Sequence, residues 1–309
     1  MRILPDFMAK PILHNNRLFK VFHIKNIHSV QGKEIQGYFI VCPLLEISES
    51  KEDFILERLL EAGRFAARLG INILGLNSYI SILPLDKEEV LTNKLKIPLT
   101  NGHALSAWSI IEAIYRVNRI KKIDLKRRTV AIIGATSSIG KLCAQKMLDY
   151  AQRVIINDVD QNRLKKLQEL ITNPGALEVI IERDSAKAAR DADVIIISDY
   201  FSEMQDTLEE LKPDAIVYHL GKLENISTKA TVIETGLIKL PYPIKLRLNT
   251  GPTKDIVSAA LAETMLLTFE GKFTNYSWCD NINPERLEEI ANIAVRHGFE
   301  VWVPEAPVL

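Results

Sequence analysis

Cysteine is scarce in this chain, with three in 309 residues and no C-x-x-C pair. That scarcity excludes a disulfide framework. Charge of one sign is not in excess either: 39 basic residues balance 39 acidic ones. A dedicated nucleic-acid binder would carry a basic surplus or stripe, so nucleic acid is excluded as a partner. Long apolar runs are absent. The start, MRILPDFMAKP, holds nothing long enough for a signal peptide. The longest apolar helical candidate, 258–269, is too short for a membrane span and contains Glu263. Metal motifs are missing as well, since the six histidines are scattered with no H-x-x-x-H. The expectation is a soluble cytoplasmic protein with no membrane span. A hydrophobic fraction of 47% supports an ordinary folded core in one large or two ordinary domains.

What the chain does contain is a change of pattern near its middle. Residues 18–47 alternate apolar and polar side chains around Gln31-Gly32-Lys33, which predicts a hairpin. Helical spacing follows over 52–69 and ends at Gly70. Residues 71–83 and 96–99 read as strands and 104–117 as a helix. The basic stretch RIKKIDLKRR (119–128) has no interleaved aromatics and reads as a solvated joint between lobes. Strands then alternate with helices: TVAIIG, RVIIND, LEVIIE, DVIIIS, AIVYHLG and TVIETG are near-continuous apolar runs. Such runs indicate a parallel sheet covered on both faces. A long apolar helix is expected from residue 255, and a last one over 284–297, with Pro284 in its first turn.

The sharpest local signal is TVAIIGATSSIGKLCAQKML. A buried strand ends at Gly134 and a helix begins near Ile139, with Ala135, Thr136, Ser137 and Ser138 between them and Gly140 just beyond. Small residues let the backbone approach a pyrophosphate, and the helix N-terminus offers it free N–H groups. The spacing is not G-x-G-x-x-G. Ser137 stands where a looser pattern has its middle glycine, and strand–turn–helix–strand context carries the reading. The next strand ends at Asp158, 158 − 134 = 24 residues after the first glycine. An acidic residue there accepts from adenosine ribose hydroxyls and repels a 2′-phosphate, so NAD(H) is favoured over NADP(H). Alternatively Asp158 caps the next helix, with Asp160 as a rival for either task. Arg163 is placed to reach back to a phosphate.

The chain resembles the cyanobacterial-type long-chain fatty acyl-(acyl-carrier-protein) reductases, which make aldehydes from acyl thioesters. LAETMLLTFEGKFTNYSW (261–278) and VRHGF (295–299) look like that family's signature block. GATSSIG matches its glycine turn apart from Ser137, and TNGHALSAW (100–108) its turn before the linking helix, with His103 in place of an asparagine. The resemblance runs from about Gly37 onward. It implies an α/β, two-lobed, shikimate-dehydrogenase-like architecture. A smaller N-terminal α/β domain (1–118) would join a Rossmann domain (119–250), with C-terminal helices (251–309) packing back on the first. The substrate would sit in the cleft at the carboxyl ends of the parallel strands.

Two departures matter. The resemblance implies a nucleophilic cysteine on the long C-terminal helix, and this chain has Ala260 there, in SAALAET. A methyl group does no covalent catalysis. The family also carries an arginine after its second strand and prefers NADPH, where this chain has Asp158-Val159. Cys42, Cys143 and Cys279 are each poor substitutes as nucleophile. Hydride transfer leaves an alkoxide in need of a proton or an oxyanion stabiliser. Asn101, His103 and Ser106, around the helix start, are candidates for that role, as is the strand-end His219. The bland alternative makes Thr100 and Asn101 helix caps. Gly236 is expected to allow close approach of the nicotinamide. Glu263 is either a buried charge or a wet-face residue, and His297 reads as an anchor for the tail.

The function that follows is an NAD(P)-dependent oxidoreductase moving hydride to or from an acyl thioester or aldehyde carbonyl. The partner is an acyl-carrier or CoA thioester, or a small molecule, and an oligomer is compatible. The alternatives are a small-substrate keto, aldehyde or imine dehydrogenase, and a non-catalytic dinucleotide-binding protein.

Overall fold

The computed structural model describes residues 19–41, 52–76, 85–172, 178–198, 204–209, 211–221, 228–245, 251–278 and 282–304. Cys42, Cys279 and the 77–83 part of the expected strand region lie outside them. In chain order the elements are β1 (Phe19–His28), β2 (Glu34–Val41), α1 (Glu52–Arg68), β3 (Leu74–Gly75), α2 (Leu85–Lys94), β4 (Leu99–Thr100) and α3 (His103–Lys121). Then come β5 (Thr129–Ile133), α4 (Ser138–Met147), β6 (Arg153–Asn157), α5 (Gln161–Ile171), β7 (Glu178–Ile181), α6 (Ser185–Arg190) and β8 (Val194–Ile197). They are followed by α7 (Met204–Glu209), β9 (Ile216–Leu220), β10 (Thr231–Thr235), β11 (Leu237–Lys239), β12 (Ile256–Ser258), α8 (Ala259–Phe269), α9 (Pro284–His297) and β13 (Glu300–Val301). No helix among the described residues is long and apolar enough to cross a membrane.

Two compact units divide these residues. One holds the described chain up to Gly102, from Lys239 to Trp278 and from Asn292 to Glu300. The other holds His103–Ile238, Ile282–Ala291 and the described residues from Val301 onward.

The second unit is the expected α/β fold. Its six strands form one sheet in the order β10-β9-β8-β5-β6-β7, and every neighbouring pair is parallel. This is the doubly wound order of dinucleotide-binding domains. The chain steps outward from β5 through β6 to β7, then returns to the other side of β5 for β8, β9 and β10. A crevice therefore opens at the carboxyl ends of β5 and β8. Side chains alternate between the two faces. Val130, Ile132, Val154, Ile156, Ile196 and Tyr218 pack in one core with Ile110 and Ile114 of α3 and Leu142 and Met147 of α4. Ala131, Ile133, Ile155, Ile195, Ile197 and Val217 pack in another with Ala188 and Ala189 of α6 and Leu208 of α7. Both faces are covered, which is why these strands read as unbroken apolar runs. Each buried aliphatic side chain contributes about 1.5–3 kcal/mol to that packing. Cys143 is fully buried in the first of these cores, and desolvation pushes its thiol up to about 12.

The first unit begins with the antiparallel hairpin β1–β2. Its turn places Gly32 at φ +76°, a left-handed conformation that favours glycine. Ile55, Leu56, Leu59 and Leu60 line one face of α1 and pack with Leu91, Leu95, Leu99 and Trp278. The Trp278 indole N–H finds Thr92 Oγ1 at 2.8 Å. Helix α8 starts at Ala259, later than the sequence pattern suggested. Ile256 and Val257 are β-branched and extended, and Ser258 is the cap, its hydroxyl accepting from the Leu261 amide.

The C-terminal end of α8 is tied down by charge. Glu270 accepts from His297 Nε2 at 2.6 Å and from Arg296 at 3.0 Å, and Lys33 stands 3.7 Å away. Fully buried His297 also stacks on Phe269, with ring centroids 4.9 Å apart. The His297 hydrogen bond, then Arg296 and Lys33, hold the Glu270 carboxyl below the usual carboxylate range. A depressed carboxyl pKa adds stability above the unfolded-state value and loses it as pH falls through the folded-state value. Glu270→Gln should therefore cost about 1–3 kcal/mol at neutral pH. Urea melts should show the wild type losing its advantage over the variant on acidification below the ordinary carboxylate pKa.

Candidate functional site

Gly134 leaves β5 at φ +79°, and the chain folds back on β6. The amides of Gly134 and Ala135 both donate to the Asn157 carbonyl, at 3.0 and 2.9 Å. Ser137 is then the N-cap of α4: its hydroxyl accepts from the Gly140 amide at 3.0 Å, and its carbonyl accepts from Lys141 at 2.9 Å. The first two helical amides, those of Ser138 and Ile139, have no acceptor among the described residues. A helix start with unpaired amides at a sheet switch point fits a diphosphate. Gly140 explains how the helix comes so close. A Cβ there would overlap the Gly134 carbonyl oxygen and stand 2.8 Å from Ala135 Cα and 2.9 Å from Ser198 Oγ.

Ser198, at the end of β8, was not singled out from the sequence. Its hydroxyl lies 3.0 and 2.9 Å from the carbonyls of Ile133 and Gly134 and 3.1 Å from Ser137 Oγ. It fastens the turn to the far side of the switch point. A serine closing an apolar strand was the available signal.

Asp158 follows β6 and bears on the same turn. One carboxylate oxygen accepts from the Thr136 amide at 3.0 Å and the Thr136 hydroxyl at 2.6 Å; the other accepts from the Val159 amide at 2.7 Å. Helix α5 is capped by Asp160, which accepts from the Asn162 and Arg163 amides. Asp158 is thereby left as a strand-end carboxylate beside the turn. Arg163 reaches back, and its guanidinium donates to the Thr136 carbonyl at 3.0 Å.

Farther along the same carboxyl edge stand His219 and Gly236. His219 is buried, and its Nδ1 lies 2.9 Å from the Gly221 carbonyl. Burial holds its pKa below the ordinary histidine value, opposed by that backbone hydrogen bond. Gly236 has φ +81°, and its amide donates to Ser109 Oγ at 2.9 Å. Ser109 in turn donates to the Ser106 carbonyl at 2.7 Å. Buried Ser106, on the first turns of α3, thus belongs with the end of β10. His103 is the first residue of α3, and burial pulls its pKa down to about 4.

Asn101 belongs to the first unit, buried, with its amide donating to the Ser277 carbonyl at 3.4 Å. Thr100 is not a helix cap: its hydroxyl donates to the Glu263 carboxylate. Glu263 is completely buried, which decides the alternative the sequence left open. Gly102, at φ +79°, takes the start of α8 against its backbone. A Cβ there would overlap Ala260 Cα and stand 2.7 Å from the Ala260 nitrogen. A cavity of about 490 Å³ lined by Arg153, Ile155, Ile180, Glu182, Lys187, Asp191 and Lys212 shares no residue with these groups.

Residues 129–218 match the family described as NADP oxidoreductase, coenzyme F420-dependent. The chain is 27% identical to a long-chain acyl-[acyl-carrier-protein] reductase of Synechococcus elongatus over 300 residues, covering 89% of this chain and 85% of that one. It is 20% identical to the aminotransferase PigE of a Serratia species over 308 residues, spanning 95% of this chain but 35% of the relative. Among solved structures, L-tryptophan dehydrogenase from Nostoc punctiforme aligns with a TM-score of 0.42 at 14% identity, over 78% of this chain and 64% of that one. The family match and the reductase relative support an NAD(P)-dependent oxidoreductase with a Rossmann-type, nicotinamide-dinucleotide-binding domain.

Gly140→Ala tests the turn. It should lower stability by about 1–3 kcal/mol, the usual cost of overpacking, and weaken dinucleotide binding. Urea denaturation and a fluorescence titration with NADH measure the two effects.

Proposed function

We propose that the chain is an NAD(H)-preferring oxidoreductase that moves hydride between the dinucleotide and a carbonyl at the aldehyde level, with an acyl-thioester-derived substrate. The observation that carries this reading is the turn at 134–140, with two unpaired amides at the switch point of a six-stranded parallel sheet. Gly134, Ala135, Thr136, Ser137, Ser138, Ile139 and Gly140 would hold the diphosphate. Asp158 would face the adenosine ribose, and Gly236 would leave room for the nicotinamide. When bound, that group supplies or takes up the hydride. His103, neutral at physiological pH because of its burial, and Ser106 are suited to donate hydrogen bonds to a developing oxyanion.

The reductase relative from Synechococcus elongatus supports the substrate class. Ala260, where the resemblance implies a cysteine, separates this chain from a covalent route. Hydride would pass directly to or from the carbonyl carbon with no acyl-enzyme. Consumption of NADH with long-chain aldehydes and acyl-CoA tests the reading, alongside intact-mass spectrometry of the protein. The expected result is turnover with no acyl adduct. Ala260→Cys should produce an adduct with acyl-CoA, and an adduct on the wild type would contradict the direct route.

The dinucleotide preference has its own test. Asp158→Asn removes the negative charge while leaving a carbonyl oxygen for Thr136. It should narrow the preference for NADH over NADPH by about tenfold, ~1.4 kcal/mol. Competition binding measures it, and a wild type that prefers NADPH would contradict the role given to Asp158.

A further inference from the structure

We propose that His219 exchanges the proton of the reaction, working at Nε2, and that its resting form is the acceptor that oxidation of a carbinol requires. The inference deepens the proposed function and rests on its dinucleotide.

The argument begins with one hydrogen bond. His219 Nδ1 lies 2.9 Å from the Gly221 carbonyl oxygen. A carbonyl only accepts, so the proton is on Nδ1. In the neutral ring Nε2 is then an unprotonated nitrogen with a lone pair. Among the described residues no other hydrogen bond engages the ring. A general acid needs its proton at the reacting atom, and this tautomer has it on the wrong nitrogen.

The backbone holds that arrangement in place. Gly221 is at φ +86°, and its amide donates to the Thr235 carbonyl at 3.2 Å. The Thr235 hydroxyl donates to the His219 carbonyl at 2.9 Å. Both the histidine and the carbonyl that sets its tautomer are thus fastened to β10. Register places His219 level with Ile197 on β8 and Glu234 on β10. Residues in register on parallel strands share a face. Burial keeps the resting ring neutral near pH 7, ready to accept.

The step balances. The carbinol C–H bond breaks and its hydride reduces an oxidised nicotinamide dinucleotide. The C=O bond forms as the O–H bond breaks, and that proton goes to His219 Nε2. In the reverse sense the imidazolium returns that proton from Nε2 to the carbonyl oxygen as hydride reaches the carbon.

The test uses the full chain. Nitrogen-15 NMR of the histidine side chains at neutral pH, with the His219 signals assigned by their loss in His219→Asn, should show Nδ1 protonated and Nε2 not. The asparagine amide keeps a donor for Gly221 and lacks the second nitrogen. His219→Asn should retain NADH affinity and lose about 10²–10⁴-fold in NAD⁺-dependent oxidation of octanol. A ring protonated at Nε2 overturns the proposal, as does wild-type turnover in the variant or a wild type that reduces octanal without oxidising octanol. A chain that binds NADH normally yet gives any of these results leaves the dinucleotide reading standing. A chain that binds neither dinucleotide removes both.

Discussion

The site depends on one steric fact: a helix start lies so close to the preceding strand end that only a hydrogen atom fits between them. Gly140 supplies it, against the carbonyl of Gly134. Around that contact the turn is braced from three sides. Asn157 on β6 takes two of its amides, Ser198 on β8 holds its carbonyl, and Asp158 grips Thr136. Every brace comes from the carboxyl end of a parallel strand. The sheet therefore fixes the helix N-terminus in place. A preorganised set of donors loses little entropy on binding.

Much of this was legible in the sequence because each strand is buried on both faces. Apolar runs such as VIII and IVYHL are hard to mistake when turns and helices separate them, and the alternation gave the sheet directly. The hairpin was legible from Gly32, and the last helix has the limits its pattern suggested. Short strands such as β3 and β4, of two residues each, leave almost no period to read. The start of α8 was misplaced because helix-compatible apolar residues precede the cap, and only the extended Ile256-Val257 pair marks them as strand.

Roles were less legible than places. Asp158 and Asp160 are two residues apart, and sequence cannot say which carboxylate caps α5 and which reaches the turn. The three-dimensional path decides it. Ser109 escaped notice because an isolated serine inside a helix carries no pattern, and Ser198 because a serine closing a strand is a weak one, yet both fasten a glycine at the carboxyl edge. Glu263 shows the same limit. A carboxylate in an apolar helix is ambiguous until its partner, the Thr100 hydroxyl, is found 163 residues away. In the first unit the Gly102–Ala260 approach and the Thr100–Glu263 bond make a tightly built start of α8.

All functional conclusions rest on the turn receiving a nicotinamide dinucleotide. Isothermal titration calorimetry of the folded, full-length chain tests that most directly. The account predicts saturable heat with NADH and weaker association with NADPH. No heat with either would contradict it.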